Sequence, residues 1–379
     1  MSKRRQSRRD FLRGRSALGA AADIVEGAID AAQDAMAEVI PVAKPPALPR
    51  RDLRIVTLSR RAMACEWELR LPVSREQNDT GVGMLALDLV ERLEDQLTVY
   101  REESELIDVN RFAADEPWPV EERLFGLLQL AAELHDETDG AFDLTSGPLS
   151  QVWGFARREG AVPEETDRVA ARARVGWTNV VLDPTDRTVQ LLREGVELNV
   201  NSIGKGYALD RAGELLGERG VADSLMHGGT STLLARGVNP LADVGGWEAG
   251  VGDPTDRDQR VAQFVLRDEA LSTSGAGTQF FEHEGRRYGH LIDPRSGWPA
   301  EGLYSATVIA PTAAEADALS TACYILGIEG TADLCERRPD VRAVLLAPKP
   351  EGPGLTAHAF NLGDDAPFRS GVEVVRRGA

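Results

Sequence analysis

The segment LYSATVIAPTAAEADALSTACYIL, residues 303–326, changes its hydrophobic pattern after its first eight residues. Residues 303–310 are mostly apolar or β-branched, which predicts a β-strand. Thr312 and Glu315 then have the spacing of a capping box, which marks the start of a helix. The helix has an apolar stripe made of Leu319, Ala322, Cys323 and Leu326. The segment therefore predicts a strand followed directly by a helix with one buried face.

Hairpins and amphipathic helices are also indicated elsewhere in the chain. The run NVVLDPTDRTVQLL, residues 179–192, predicts a hairpin whose turn is formed by Asp183 to Asp186. An alternating set predicts a strand with one buried face: Met63, Cys65, Trp67, Leu69 and Leu71. Another set has helical spacing: Leu85, Ala86, Leu89, Val90, Leu93 and Leu97. Because hairpins are mixed with helices, we predict an α+β fold of antiparallel sheets packed with helices.

Composition restricts the classes of partner. The chain has 379 residues, with 43 Lys and Arg against 61 Asp and Glu, and a net charge of −18. Such a charge repels nucleic acid and anionic membranes, so a phosphate ligand needs a cation placed close to it. The cysteines are few and far apart, which excludes a disulfide framework and a CxxC zinc site: Cys65, Cys323 and Cys335. No apolar run approaches the ~18 residues of a transmembrane span.

Residues 1–50 are predicted to form a separate N-terminal segment, and residues 51–379 the folded domain. SRRDFLRG, Ser7 to Gly14, resembles a twin-arginine export signal. Residues 17–40 carry acids every three or four positions, which predicts an amphipathic helix with an acidic face instead of an apolar signal core. Residues 41–50 resemble a proline-rich linker. Twin-arginine export and a cytoplasmic location therefore both stay open, with a slight preference for the cytoplasm.

The run NVNSIGKGYALD, residues 199–210, is the first candidate for a ligand site. Gly204 and Gly206 let the backbone approach a ligand, and Lys205 between them supplies positive charge. A helix that starts near Tyr207 would add the positive end of its dipole. The alternative is a simple turn with a surface lysine.

The run EADALSTA, residues 315–322, is the second candidate. Asp317 and Thr321 are four residues apart, so on a helix they share one face, opposite the apolar stripe. One carboxylate with hydroxyl oxygens is a hard-oxygen donor set that suits Mg²⁺ and not Zn²⁺. The alternative is a face exposed to solvent.

The run RYGHLIDPRSGWP, residues 287–299, is the third candidate. His290 lies between a strand-like run and a turn that ends at Gly297, and it is the best candidate for a general acid among the five histidines. The alternative is a structural histidine.

These three segments occur in one order with five further motifs. The eight are MAC (63–65), LTVYREESELIDVN (97–110), GAFDLTSGPLSQVWGF (140–155), SIGKGYALD (202–210), HGG (227–229), STSGAGTQFF (272–281), HLIDPRSGWP (290–299) and EADALSTA (315–322). On this basis the chain resembles the ApbE-type FAD:protein FMN transferase family from about Arg61 to Val344. The resemblance implies a T-fold-like ApbE architecture.

The resemblance also implies a reaction and its residues. FAD is the substrate, Mg²⁺ is required, FMN is joined to a Ser or Thr hydroxyl of an acceptor flavoprotein, and AMP leaves. The implied FAD-binding residues are Met63, Tyr100, Ala141, Phe142, Asp143, Asn199, Lys205, Gly228, Gly229 and Ile292. The implied metal ligands are Asp317, Thr321 and the backbone carbonyl of Ser202, and the implied catalytic residues are His290 and Asp317.

Two alternatives to transfer stay open: FAD binding without transfer, and hydrolysis of FAD to FMN and AMP. Asn199 stands where relatives commonly have an acid, and this departure favours the first of them. Gly228 and Gly229 are expected to admit FAD where a Cβ would clash, and the alternative is a glycine-rich bend between two strands.

Overall fold

The computed structural model describes residues 52–75, 77–101, 103–275, 277, 279–364 and 366–377. The features predicted for residues 1–50 lie outside them. In chain order, the described strands are β1 (Arg54–Ala62), β2 (Cys65–Val73), β3 (Trp118–Pro119), β4 (Val180–Asp183), β5 (Thr188–Leu191), β6 (Ser224–Gly228), β7 (Thr232–Arg236), β8 (Trp247–Asp253), β9 (Asp256–Leu266), β10 (Glu269–Ser274), β11 (Phe280–His283), β12 (Arg286–Gly289), β13 (Ile292–Asp293), β14 (Trp298–Pro299), β15 (Ser305–Ala310), β16 (Arg342–Pro348), β17 (Leu355–Phe360) and β18 (Glu373–Arg377).

Seven α-helices are described, and those that pack on the large sheet share one of its faces, opposite the β8–β9 hairpin. The seven helices are α1 (Thr80–Leu97), α2 (Glu105–Phe112), α3 (Glu122–Glu137), α4 (Gly147–Val152), α5 (Glu165–Arg172), α6 (Gly204–Glu218) and α7 (Ala313–Arg337). The last helix is interrupted at Gly327, whose φ of 69° is not helical. Within the described residues, each helix is too short or too polar to span a bilayer.

The large sheet has nine strands in the order β1-β2-β6-β7-β10-β15-β16-β17-β18, and every neighbouring pair is antiparallel except β17 and β18. Smaller sheets are formed by β3-β5-β4, by β8-β9, by β11-β12 and by β13-β14. This architecture confirms the predicted α+β class with antiparallel sheets.

Both faces of the large sheet are buried at its central strands. Successive side chains of a strand point to opposite faces, and two rows across β7, β10 and β15 show the result. Leu233, Leu271 and Ile309 lie opposite one another and pack under the β8–β9 hairpin. Leu234, Ala270 and Ala310 form the adjacent row and pack against the helices. Strand residues that point to the same face as this second row are the ones that can contact α7.

The strand and helix predicted in residues 303–326 are present as β15 and α7. Thr312 is the N-cap of α7, and its hydroxyl accepts a hydrogen bond from the backbone N–H of Glu315 at 3.2 Å. The predicted hairpin is formed by β4 and β5, with residues 184–187 between them. The predicted helix is α1, although Leu85 on it is 44% exposed.

One part of the predicted alternation is wrong. Met63 lies in the turn between β1 and β2 with a φ of 48°, next to Ala64 with a φ of 59°. Two consecutive positive φ angles are typical of a tight hairpin turn, so the strand begins only at Cys65. The alternation is correct for Trp67, Leu69 and Leu71, which are fully buried.

The first turns of α6 and α7 are in close contact. A Cβ on Gly206 would lie 2.0 Å from the carbonyl oxygen of Ala313, so only glycine allows this crossing. The buried carboxylate of Asp210 on α6 accepts hydrogen bonds from the backbone N–H groups of Ala313 and Ala314, both at 2.8 Å. Asp210 thereby caps α7 and fixes the start of one helix against the other. Helix α6 begins at Gly204, three residues before the predicted start at Tyr207.

Candidate active site

A cavity of about 240 Å³ opens beside the first turns of α6 and α7, near α4 and β13. Most of the residues predicted for the site line it: Tyr100, Ala141, Phe142, Asp143, Asn199, Ser202, Lys205, His290, Ile292, Asp317 and Thr321. These residues come from segments that are up to 221 positions apart in the sequence, from Tyr100 to Thr321. The fold therefore brings the three candidate segments to one place.

The carboxylate of Asp317 is held by hydrogen bonds from three separate elements. Thr232 on β7 and Ser272 on β10 donate to its Oδ1 at 3.0 and 3.2 Å, and the backbone N–H of Gly206 donates to its Oδ2 at 3.1 Å. The side chain of Asp317 is only 5% exposed. The alternative of a solvent-exposed helix face is therefore wrong, because the sheet and α6 cover this side of α7.

A layer of hydroxyl groups continues from this carboxylate. Ser274 contacts the hydroxyls of Ser320 and Thr321 at 2.8 and 3.1 Å, and Ser320 donates to the backbone carbonyl of Asp317 at 2.9 Å. Thr232 and Ser272 are themselves 3.0 Å apart and lie opposite one another in the sheet register. Hydrogen bonds to a charged group are among the stronger ones in proteins. The layer therefore fixes the position of the carboxylate.

Lys205 supplies the nearest positive charge to Asp317. Its Nζ lies 3.3 Å from Oδ1 and 3.4 Å from Oδ2. These distances exceed the about 2.7–2.9 Å of a strong charge-assisted hydrogen bond. The ammonium group of Lys205 therefore forms only a weak ion pair with the carboxylate of Asp317. The Lys205 side chain is 25% exposed, which leaves the charge facing the cavity.

The donor set around Asp317 fits a hard divalent cation. Among the described residues, no group of three or more His, Cys, Asp or Glu side chains is placed to hold a metal ion. A cation here would therefore bind one carboxylate together with neutral oxygens, from Thr321 and from the backbone near Ser202, which also line the cavity. Such a set suits Mg²⁺ and not Zn²⁺.

His290 lies in the cavity wall with a defined orientation. Its Nδ1 is 3.1 Å from the carbonyl oxygen of Gln279, and a carbonyl can only accept, so Nδ1 carries the proton. Burial lowers the pKa of His290 below its usual value, and the charge of Lys205 lowers it further. The ring is therefore neutral at pH 7, and its Nε2 has a free lone pair. This geometry favours a general base over the general acid predicted from the sequence.

Asp143 and Asn199 line the cavity and also hold the loops beside it through hydrogen bonds. Asp143 accepts hydrogen bonds from the N–H and the hydroxyl of Thr145 at 2.7 and 2.6 Å, and burial raises its pKa. The Oδ1 of Asn199 accepts from the N–H of Asn201 at 3.0 Å, just before α6. Asn201 in turn donates to the hydroxyl of Tyr100 at 2.8 Å. An uncharged Asn199 is thus sufficient for the local structure.

Three predicted site residues do not line the cavity. A Cβ on Gly228 would meet the ring of Trp67 at 3.2 Å, and Gly229 has a φ of 69° with Cys65 3.2 Å from its Cβ position. The two glycines therefore have reasons of packing and of backbone conformation to be glycine, and their contact with FAD stays a prediction. Met63 is held in its turn by a hydrogen bond from its N–H to Glu94 at 2.9 Å.

The sequence interpretation missed the hydroxyl residues that hold Asp317. Thr232 follows the two glycines of HGG, and Ser272 begins the motif STSGAGTQFF. The runs of adjacent hydroxyls were the available signal, but the partner carboxylate is 85 positions from Thr232 and 45 from Ser272. Only the fold shows this pairing.

Replacing Thr232 by Val tests the role of the hydroxyl layer. Val has nearly the same shape but cannot donate, so Oδ1 of Asp317 keeps only Ser272 as a hydroxyl donor. We expect the free energy of unfolding to fall by about 1.5–3 kcal/mol, which is the usual contribution of a hydrogen bond to a charged group. Urea denaturation measures the change. Thr230→Val, at an exposed position two residues earlier, is the matched control, and an equal loss in both variants would contradict the assigned role.

Comparisons with known proteins point to one family. The model of the ApbE family matches residues 63–345. The FAD:protein FMN transferase of Salmonella typhimurium is 34% identical over 249 residues, which cover 64% of this chain and 70% of that protein. A protein of the same name from Klebsiella pneumoniae is 31% identical over 271 residues, which cover 71% of this chain and 83% of that protein.

Solved structures agree with these sequence comparisons. The flavin transferase ApbE from Vibrio cholerae superimposes with a TM-score of 0.72 at 25% identity, over 81% of this chain and 97% of that chain. The apo form of the Pseudomonas stutzeri flavinyl transferase ApbE gives a TM-score of 0.72 at 29% identity, over 82% of this chain and 96% of that chain. The likeness thus covers nearly the whole of both solved chains.

Proposed function

The chain belongs to the ApbE family, as its motifs predicted, and from this membership we propose that it transfers FMN from FAD to a Ser or Thr hydroxyl of an acceptor protein, with Mg²⁺ as cofactor and AMP as the second product. The observation that carries the proposal is the placing of Lys205, His290 and Asp317 around one cavity. Together they offer a positive charge, a base and a metal-binding carboxylate.

The proposed reaction forms one bond to phosphorus, breaks another and releases one proton. The acceptor oxygen forms a bond to the phosphorus of the FMN half of FAD, and the bond from that phosphorus to the bridging oxygen breaks. AMP leaves with the electron pair of the broken bond. The hydroxyl proton passes to Nε2 of His290, which the hydrogen bond from Nδ1 to Gln279 leaves free to accept it.

Charge neutralisation is the second requirement of phosphoryl transfer. Asp317, Thr321 and the backbone carbonyl of Ser202 would hold Mg²⁺, which would supply positive charge next to the pyrophosphate. Lys205 adds a fixed positive charge at the same cavity. Both charges are needed because the chain carries a net charge of −18, which would otherwise repel a dianionic ligand.

We place the whole activity in residues 51–379. All residues that line the cavity, and the match to the family model at residues 63–345, fall within this range. Residues 1–50 are proposed to be a separate segment, on the grounds of their composition. Nucleic acid is not a partner in this proposal, because the net charge is strongly negative.

Covalent labelling of an acceptor tests the proposal and its metal requirement. We expect flavin fluorescence on a candidate acceptor in a denaturing gel when FAD and Mg²⁺ are present, and an equal amount of AMP by chromatography. EDTA should abolish both signals because the pyrophosphate charge is then not offset, and added Mg²⁺ should restore them. An acceptor whose target hydroxyl residue is replaced by Ala is the control and should stay unlabelled.

The same experiment separates the two alternatives. AMP formed at full rate without an acceptor, and without label, indicates an FAD pyrophosphatase. FAD that binds without formation of AMP indicates a flavin-binding protein. This is the alternative that Asn199, in place of the common acid, favours. Labelling that is unchanged by EDTA would reject the metal requirement while leaving the transfer reaction in place.

A further inference from the structure

A second cavity, of about 750 Å³, lies on the other side of the α6–α7 crossing. Its walls come from α3, the middle of α6, the turn between β4 and β5, the end of β7 and the start of α7. It shares no lining residue with the candidate active site. The proposed reaction therefore does not account for it.

The wall of this second cavity carries four arginines and three carboxylates: Arg123, Arg187, Arg211, Arg236, Glu122, Asp210 and Glu214. Each carboxylate already has a partner in the protein. Glu122 pairs with Arg187 at 3.0 Å, and Glu214 pairs with Arg211 at 2.5 Å. Asp210 accepts the two backbone hydrogen bonds that cap α7.

The arginines, in contrast, have donors left over. Within the described part of the chain, the side chains of Arg123, which is exposed, and of Arg236 have no hydrogen bond or ion pair, although the charge of Arg236 acts on the nearby carboxylate of Asp210. Arg211 keeps its Nε buried without a partner, while its guanidinium lies 5.3 Å from the centre of the Tyr207 ring. The cavity thus offers several unused donors and no unused carboxylate, so its complement is an acceptor-rich anion.

Guanidinium groups bind both carboxylate and phosphate oxygens in a paired geometry, and a phosphate monoester offers three acceptor oxygens where a carboxylate offers two, so several unused donors favour the phosphate. The volume falls in the range of about 300–1,000 Å³ that small-molecule sites occupy. From the leftover donors and the volume, we propose that this cavity is a second ligand site that binds a phosphate dianion, either free or as the monoester of a small molecule. Arg123 and Arg236 are its principal ligands.

Titration calorimetry of the full chain with inorganic phosphate and with glycerol 3-phosphate tests the site and separates the two sources. EDTA is present, and the titration is repeated in Lys205→Gln, which removes the fixed positive charge of the candidate active site but does not line the second cavity, so binding that is unchanged in this variant belongs to the second cavity. We expect saturable binding of one or both probes, and an affinity at least about tenfold lower in Arg123→Gln/Arg236→Gln, since two charge-assisted hydrogen-bonding groups are lost. Tighter binding of glycerol 3-phosphate would identify the monoester as the ligand.

Two controls make the test specific. Arg260→Gln, on β9, leaves the cavity intact and should bind the probes as the parent chain does. Arg236→Lys keeps the charge and should bind with intermediate affinity, which guards against a double variant that fails to fold. No saturable binding to the parent chain, equal binding in the double variant, or complete competition by chloride at equal ionic strength would each overturn the proposal. These outcomes are independent of whether FMN transfer occurs.

Discussion

Asp317→Asn should reduce the rate of both AMP release and acceptor labelling by about 10³-fold or more. Metal ions contribute several kcal/mol of charge stabilisation, and each 1.36 kcal/mol is a factor of ten in rate. The substitution keeps the shape of the side chain and an oxygen that can accept from Thr232 and Ser272. It removes the negative charge, which is the property that holds a divalent cation. Single-turnover labelling with saturating FAD and Mg²⁺ measures the effect.

Asp333→Asn is the matched control, because Asp333 is an exposed acid on the same helix. Its labelling rate should equal that of the parent chain. Binding of FAD to the Asp317 variant, followed by flavin fluorescence, shows whether binding and turnover separate. An Asp317→Asn variant that keeps its rate and its sensitivity to EDTA would place the metal elsewhere in the chain.

The sequence predicted the residues of the site better than their mutual roles. Asp317 and Thr321 were correctly placed together by helical spacing, since that spacing depends only on the geometry of one helix. Whether the shared face is exposed depends on what packs against it, which no periodicity within α7 reveals. The contacts that bury it come from β7, β10 and α6. This is why the hydroxyl layer was missed while the acid was found.

For the glycines of HGG the structure shows local reasons for glycine, while their contact with FAD stays a prediction. A pair of glycines indicates either a backbone conformation or a close approach, and the sequence cannot distinguish the two. At Gly229 the φ of 69° and at Gly228 the ring of Trp67 give sufficient reasons without a ligand. Trp67 itself was correctly predicted as a buried strand residue. Its contact with Gly228, about 160 positions later, could not be predicted from the local pattern.

The α+β fold class could be predicted from the sequence because it depends on local patterns that are repeated many times. Strand alternation, turn residues and helix stripes each depend on neighbours within about ten positions. The order of strands in the large sheet is different, because β2 pairs with β6 and β7 with β10 across long insertions. Nothing in one sequence records those pairings directly. The T-fold-like arrangement therefore came from the resemblance to the family and not from periodicity.

His290→Asn should lower the labelling rate by about 10²- to 10⁴-fold, the usual contribution of a general base. The Asn amide can still donate to the carbonyl of Gln279, as Nδ1 does in the parent, but it offers no basic nitrogen in place of Nε2. The dependence of the parent rate on pH gives a second test. Burial lowers the pKa of His290 below 6.5, so the neutral, active form is present above that pKa and is lost as the pH falls through it.

We therefore expect the parent labelling rate to be level around pH 7 and to decline only in more acidic buffer, whereas the His290→Asn variant should lack this acid limb. His283→Asn is the matched control, since His283 is an exposed histidine on the adjoining β11–β12 hairpin, and its profile should follow the parent. An acid limb that persists in the His290 variant would belong to another group. A variant with the parent rate would mean that the acceptor hydroxyl loses its proton without help from this imidazole, and the assignment of His290 as the base would be wrong.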